Sequence, residues 1–258
     1  MTGFNRVFAS RPVMIGMIHL PPLPGFEGCP GVDGLIEHAL RDLETLEACG
    51  FDGVLIENEH DKPHTITASS AVCDAMTRVT EAIVSARRKT QVGCEVLLND
   101  PRASLDIANS ANAAFIRTDY FVDRMTREEY GEFRIDPDGL LAFRRAIGAD
   151  NVLILADIQV KYATMIEPRP LAESAMEASA RGADGIVVTG DRSGHSPSLS
   201  QLREAAGDLP VLIGSGLTAD NAAELLSACD GAIVGTALMQ NGIVERDSAA
   251  RIMDIARG

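Results

Sequence analysis

Two short stretches have the residue types of an anion cradle. Gly214-Ser215-Gly216 follows the aliphatic run Val211 to Ile213, and Gly235-Thr236 follows Gly231 to Val234. Small residues let backbone N–H groups approach an oxyanion closely, a helix N-terminus beyond them adds to the field, and the Ser215 and Thr236 hydroxyls add donors. Thr218 is expected to cap the helix that follows. The plainer alternative is that the glycines only permit tight turns.

Two carboxylates end buried-looking runs: Asp157 in "NVLILADI" and Glu57 in "GVLIE". A carboxylate there is costly unless paired, so each is either a working acid or base or half of a buried ion pair. Lys161 and Arg117 are the cations placed to pair with Asp157. We read Asp157 as general base and Glu57 as general acid, their pKa values set apart by different surroundings. His19 or His195 would orient or polarise a hydroxyl or carbonyl, and Asn58, Asn99, Arg117 and Thr189 would contact substrate. Lys161 joins the catalytic set, because any Schiff-base chemistry would have to use the one lysine near a central strand. His19, Glu57, His60, His64, Asp157 and His195 could together surround a divalent metal, but no HxH or HExxH spacing supports it, so the cofactor is left open and a metal is not favoured.

These residues need a frame that gathers them. Eight aliphatic runs recur along the 258 residues: 13–18, 53–57, 92–98, 113–117, 151–158, 185–190, 210–214 and 231–235. Each is short and rich in Val, Ile and Leu, as strands buried on both faces are. Amphipathic segments lie between them; "LIEHALRDLETLEACG" sets Leu35, Ala39, Leu43 and Leu46 on one face and stops at Gly50. Strict alternation of eight strands with helices predicts one (β/α)8 TIM barrel over 1–258, with residues 1–12 as a lead-in segment. The prolines of "HLPPLPG" exclude the glycine turn of a dinucleotide fold. In a (β/α)8 barrel the C-terminal strand ends carry the site, and the loops after strands seven and eight usually hold phosphate. Both cradles fall there. The same rim carries Asn99 and Asp100 after strand three and Arg117, Thr118 and Asp119 at the end of strand four. "TGDRSGHSPS" after strand six is a candidate lid, and "RTDYFVDRMTREEYGEF" after strand four is a long insertion that could touch substrate or a second subunit.

Composition narrows the partners. A net charge of −14 repels nucleic acid and anionic membrane surfaces while leaving room for a local anion site. No apolar run reaches the length of an integral membrane span, and the N-terminus lacks a secretory h-region. Five dispersed cysteines without CxxC spacing read as free thiols, so a cytoplasmic location is expected. The expected partners are a phosphorylated small molecule and further copies of the chain in a homo-oligomer.

Five segments, "MIGMIHLPPLPG", "GFDGVLIENEHDKP", "LADIQVKYA", "VVTGDRSG" and "VLIGSGLTADNAAELL", resemble the BtpA/SgcQ family from about Val13 to the C-terminus. The resemblance implies a TIM barrel. It also implies matching positions at His19, Glu57, Asn58, Asp157, Lys161, Gly214, Gly216 and Asn221. One member is implicated in photosystem I accumulation, and others resemble sugar-metabolism enzymes by their gene setting. The leading expectation is an isomerase or lyase acting on a sugar phosphate or nucleoside-related phosphate ester. The alternatives are a non-catalytic biogenesis factor and a metal-dependent hydrolase.

Overall fold

A computed structural model describes residues 3–190 and 194–258. All eight aliphatic runs become strands of one closed parallel barrel: β1 (Val13–His19), β2 (Gly53–Glu57), β3 (Gln91–Glu95), β4 (Phe115–Thr118), β5 (Leu153–Ile158), β6 (Gly185–Val188), β7 (Val211–Ile213) and β8 (Gly231–Val234). The strands follow one another round the ring in chain order, and β1 closes it by pairing with both β2 and β8.

The period-two alternation of strand side chains divides the interior into two cores. Met14, Ile18, Val54, Ile56, Val92, Ile116, Ile154, Ile186 and Ile213 point outward and pack under the helices. Val13, Ile15, Met17, Leu55, Phe115, Leu153, Leu155, Val187, Leu212 and Ile233 point inward and fill the barrel. Gly93 is required on this inner face, because a Cβ there would meet the Phe115 ring at 2.3 Å. The described part of the lead-in, residues 3–12, packs against the barrel. Gly3–Val7 is a helix, and Phe4 and Phe8 are buried in the inner core with Phe115.

Helices cover the ring, among them Gly31–Ala48, Ser70–Ala86, Pro101–Ser110, Pro137–Ala146, Leu171–Ala180 and Arg246–Arg257. Their starts are locally encoded. Ser69, Asp100 and Asp136 each accept a hydrogen bond from a backbone N–H of the first turn, and Ser198 forms a capping box with Gln201. Beyond the eight expected strands, Met125–Arg127 pairs antiparallel with both Gly131–Glu132 and Thr164–Met165. This small sheet ties the insertion after β4 to the loop after β5.

Among the described residues no helix is long and apolar enough to cross a membrane. All five cysteines are free thiols.

Candidate active site

The inward register continues above the apolar layers, and there the chemistry changes. His19, Glu57 and Glu95 are direct cross-strand neighbours on β1, β2 and β3. Arg117 and Asp157 follow two residues beyond the inner-core residues Phe115 and Leu155 on β4 and β5. Alternation along each strand therefore sets one charged layer on top of an apolar plug. A cavity of about 630 Å³ opens above it. Met17, His19, Glu57, Arg117, Asp119 and Lys161 line its floor and wall, Gly214–Thr218 and Gly235–Ala237 line another side, and Lys62, His64, Arg127 and Tyr162 line the rim. Two of the three lysines in the chain face this cavity.

The central ion pair is fully engaged. Arg117 donates from Nε to Asp157 Oδ2 at 2.7 Å and from Nη2 to Asp157 Oδ1 at 2.8 Å, with Glu95 Oε2 a further 3.7 Å contact of Nε. Asp157 is only 1% exposed and does not line the cavity. This corrects the expectation that Asp157 is a general base. Both of its oxygens are spent holding a guanidinium, in the bidentate geometry that Arg offers a carboxylate.

The carboxylate that does face the cavity beside this pair is Asp119, two residues past Arg117 on the same strand line. It makes no side-chain hydrogen bond among the described residues. Burial, reinforced by the Asp157 charge and opposed by Arg117, raises its pKa to about 7. Glu57 is set the other way. Burial alone would raise it, but the hydrogen bond and charge of His19, helped by Arg117 and Lys161, bring it down to about 2; His19 Nε2 lies 3.3 Å from Glu57 Oε2. Glu95, buried and with no hydrogen bond to Oε2 among the described residues, is pushed well above the usual carboxylate range by burial, against the pull of Arg117. Four carboxylates thus share a site with Arg117 and Lys161, and the surplus negative charge favours a retained proton.

The sequence does not single out Asp119 and Glu95 as members of this charged layer, although a signal is present. Glu95 lies two residues after the inward-facing Gly93, and Asp119 two after Arg117, so both share the inward parity of their strands.

Lys161 is half-buried and lines the cavity; among the described residues its ammonium group has no ion pair within 4.0 Å. Its backbone is held in place, with Lys161 N–H donating to Thr189 Oγ1 at 3.3 Å. Gln159 and Tyr162 on either side have positive φ values of 48° and 64°. Non-glycine residues adopt that conformation at a cost, and such strain concentrates at functional segments.

The glycine loops gather at the mouth as expected, with differences of detail. Ser215 Oγ donates to the His195 carbonyl and accepts from Gly190 N–H, so this hydroxyl fastens two loops together. Gly216 has φ +70°, and a Cβ there would strike Ser196 N at 2.1 Å. Part of the glycine requirement is therefore loop-on-loop packing. The expected helix N-terminus does not abut the cradle. The helix after β7 is the five-residue segment Ala222–Leu226, and Asn221 rather than Thr218 orders the turn, accepting from Thr218 N–H and donating to the Gly216 carbonyl. The N–H groups of Gly216 and Leu217 donate to no partner among the described residues, and both residues line the cavity. Thr236 is exposed at its edge, where a 3-10 turn, Thr236–Leu238, begins.

Several other expected contacts are corrected. The Asn58 amide is consumed by Leu97 and Asp61 and is buried, so it shapes the loop wall instead of meeting substrate. Thr189 is buried, accepting from Lys161 N–H. Asn99 accepts from Thr118 and lines a separate cavity of about 380 Å³ with Arg102 and Arg134. The His195 side chain is exposed and does not line the mouth. The candidate lid includes Asp191 and Ser193, which lie outside the described residues. Among the described residues no group of three or more His, Cys, Asp and Glu side chains is arranged to hold a metal ion.

Residues 10–258 match the family described as the BtpA family. An uncharacterized protein from Archaeoglobus fulgidus is 33% identical over 95% of this chain and 98% of its own length. The photosystem I biogenesis protein BtpA of Synechocystis is 34% identical over 92% of this chain and 84% of its own. Among solved structures, N-(5'-phosphoribosyl)anthranilate isomerase from Pyrococcus furiosus superposes with a TM-score of 0.60 at 13% identity, covering 95% of this chain and 98% of that one. That likeness is one of fold.

Proposed function

The chain belongs to the BtpA family, and from that premise we propose that it is an enzyme acting on a small phosphorylated metabolite by proton transfer, as an isomerase or lyase. The observation that carries this reading is a single cavity of about 630 Å³ lined both by two glycine-containing loops, one with the Gly216 and Leu217 N–H groups unpartnered among the described residues, and by Glu57, Asp119, His19 and Lys161.

In this reading the loops after β7 and β8 hold the phosphate. The N–H groups of Gly216 and Leu217 and the Thr236 hydroxyl are the donors, and Ser215 keeps the loop in place. A carboxyl group near pKa 7 is matched to shuttling a proton at neutral pH. Asp119 takes that role. Glu57 stays ionised beside His19 and stabilises a positive or proton-donating imidazole. Lys161 lies where an ammonium can polarise a carbonyl or hydroxyl oxygen as charge develops on it. The Arg117–Asp157 pair is a positioning element that fixes the field felt by Asp119. Isomerisation needs a base that gives its proton back, and lyase chemistry needs a base beside a stabilised oxyanion; the same four groups serve either.

A non-catalytic biogenesis role, which the name of the Synechocystis relative suggests for that protein, would not need an open cavity with an acid whose pKa is raised to about 7. A thermal-shift series with phosphorylated sugars and nucleotides tests the proposal. Stabilisation by at least one ester that disappears in Thr236→Glu is expected. If no phosphate ester raises the melting temperature, the phosphate reading fails.

A further inference from the structure

The cavity has a second polar end that the phosphate reading leaves unused. Arg127 lies on the short strand Met125–Arg127, in the insertion after β4. Round the ring β4 is four strands from β8, so this insertion rises across the mouth from the Gly235-Thr236 loop. The guanidinium carbon of Arg127 lies 5.3 Å from the Tyr130 ring centroid and 5.9 Å from that of Tyr162. Tyr130 in turn donates from its hydroxyl to the His64 carbonyl at 3.2 Å. His64, Arg127 and Tyr162 all line the cavity, with Lys62 beside them.

Among the described residues the Arg127 guanidinium has no strong carboxylate partner. It interacts with the neighbouring buried Tyr120 hydroxyl, and its Nε is shielded from solvent. The nearest carboxylate to Arg127, that of Glu129, lies 3.7 Å from Nε and is 65% exposed, too solvated to serve as a strong partner. Lys62 is paired with Glu59 at 3.0 Å, and Lys161 approaches the same cavity from the loop after β5. Tyr162 is 53% exposed although aromatic, and its strained backbone keeps the ring near Arg127. Pre-stacked on two rings and held by an antiparallel strand, Arg127 has lost much of the rotamer freedom that binding would otherwise remove.

We propose that Arg127, with His64 and Lys62, binds a second anionic group of the substrate, so that the metabolite carries a phosphate at the glycine loops and a carboxylate or second phosphate at the opposite end. This rests on the phosphate reading above and adds the substrate class. The two sources of the second charge share one chemistry, an oxyanion that accepts from the Arg127 guanidinium, and they are separated by probe.

The test is calorimetric titration of the full chain with glucose 6-phosphate, fructose 1,6-bisphosphate and 3-phosphoglycerate, in the wild type, R127Q and T236E. At least one doubly anionic probe is expected to bind about tenfold or more tightly than glucose 6-phosphate, as a charge-assisted hydrogen bond implies. R127Q should erase that difference and leave glucose 6-phosphate binding unchanged. T236E should weaken all three. Preference for the bisphosphate identifies a second phosphate, and preference for 3-phosphoglycerate identifies a carboxylate. If the doubly anionic probes bind no more tightly than glucose 6-phosphate, or if R127Q weakens all three equally, the second site is overturned while the phosphate site stands. If R127Q acts and T236E does not, the phosphate site fails and Arg127 remains an anion site. If none of the three binds the wild type, both fall. Should R127Q not fold, R127K keeps the charge without the planar fork and must show the same selective loss.

Discussion

At the N-terminal end of the barrel the inward positions are Val13, Ile15, Leu55, Phe115 and Leu153, closed from below by Phe4 and Phe8. A few residues further along the same strands they are His19, Glu57, Arg117 and Asp157. Both layers have the same backbone geometry, so the difference lies in what each layer must exclude. The lower one excludes water, and close packing of aliphatic and aromatic side chains does that at a gain in stability. The upper one keeps four carboxylates, Glu57, Glu95, Asp119 and Asp157, near one another around Arg117. Apolar residues of similar volume there are often neutral or stabilising, so the proposed binding or catalytic role would account for keeping the charged layer.

Opposite-end substitutions should split the two layers. At the mouth, Asp119→Asn should reduce turnover by roughly 10²–10⁴-fold, the usual contribution of a general acid or base. Its melting temperature at pH 8 should be unchanged or higher, because a carboxylate repelled by Asp157 has been neutralised. At the plug, Phe115→Ala removes a fully buried ring that meets Phe8. It should cost about 3–5 kcal/mol of unfolding free energy in a urea titration, and the surviving folded protein should bind phosphate esters with unaltered affinity. If Asp119→Asn unfolds the protein, or Phe115→Ala silences the site without destabilising it, the division of labour between the layers is wrong.

The sequence carried the frame more clearly than the site. Eight short aliphatic runs in alternation with helices define the ring almost strand for strand, because burial on both faces leaves a continuous apolar signature. The glycine loops were readable for the same reason, since their place after strands seven and eight follows from counting. The charged layer was harder. Asp157 and Glu57 stand out alike as carboxylates at the end of apolar runs, yet one is locked in a bidentate pair and the other borders the cavity. Sequence spacing cannot say which cation reaches which carboxylate across neighbouring strands. Asn58 and Ser215 misled for a related reason. Their side chains satisfy loop backbone in the structure, and such bonds depend on loop conformations that no local pattern encodes. The sheet that presents Arg127 is built from strands of two or three residues, too short for any periodicity to register.

The smallest effect sharpens the comparison most, because it depends on pH alone. Asp119 has its pKa raised to about 7 in the folded chain from an ordinary 3.8. Between those values the folded state binds the proton and the unfolded state does not, so its contribution to stability is fully present below pH 3.8 and is lost as pH rises through about 7. Glu57 acts in the opposite sense. Its pKa is lowered from 4.5 to about 2, so its contribution is present above 4.5 and is lost as pH falls toward 2. Subtracting the urea midpoints of Asp119→Asn from those of the wild type should therefore give a difference that declines between pH 4 and 7. The corresponding subtraction for Glu57→Gln should rise between pH 2 and 4.5. A substitution in the plug, such as Phe115→Ala, removes no titrating group and should shift the midpoint by nearly the same amount at every pH. If the Asp119 difference is flat across its window, that carboxyl titrates as an ordinary solvated one and is not the group that moves the proton.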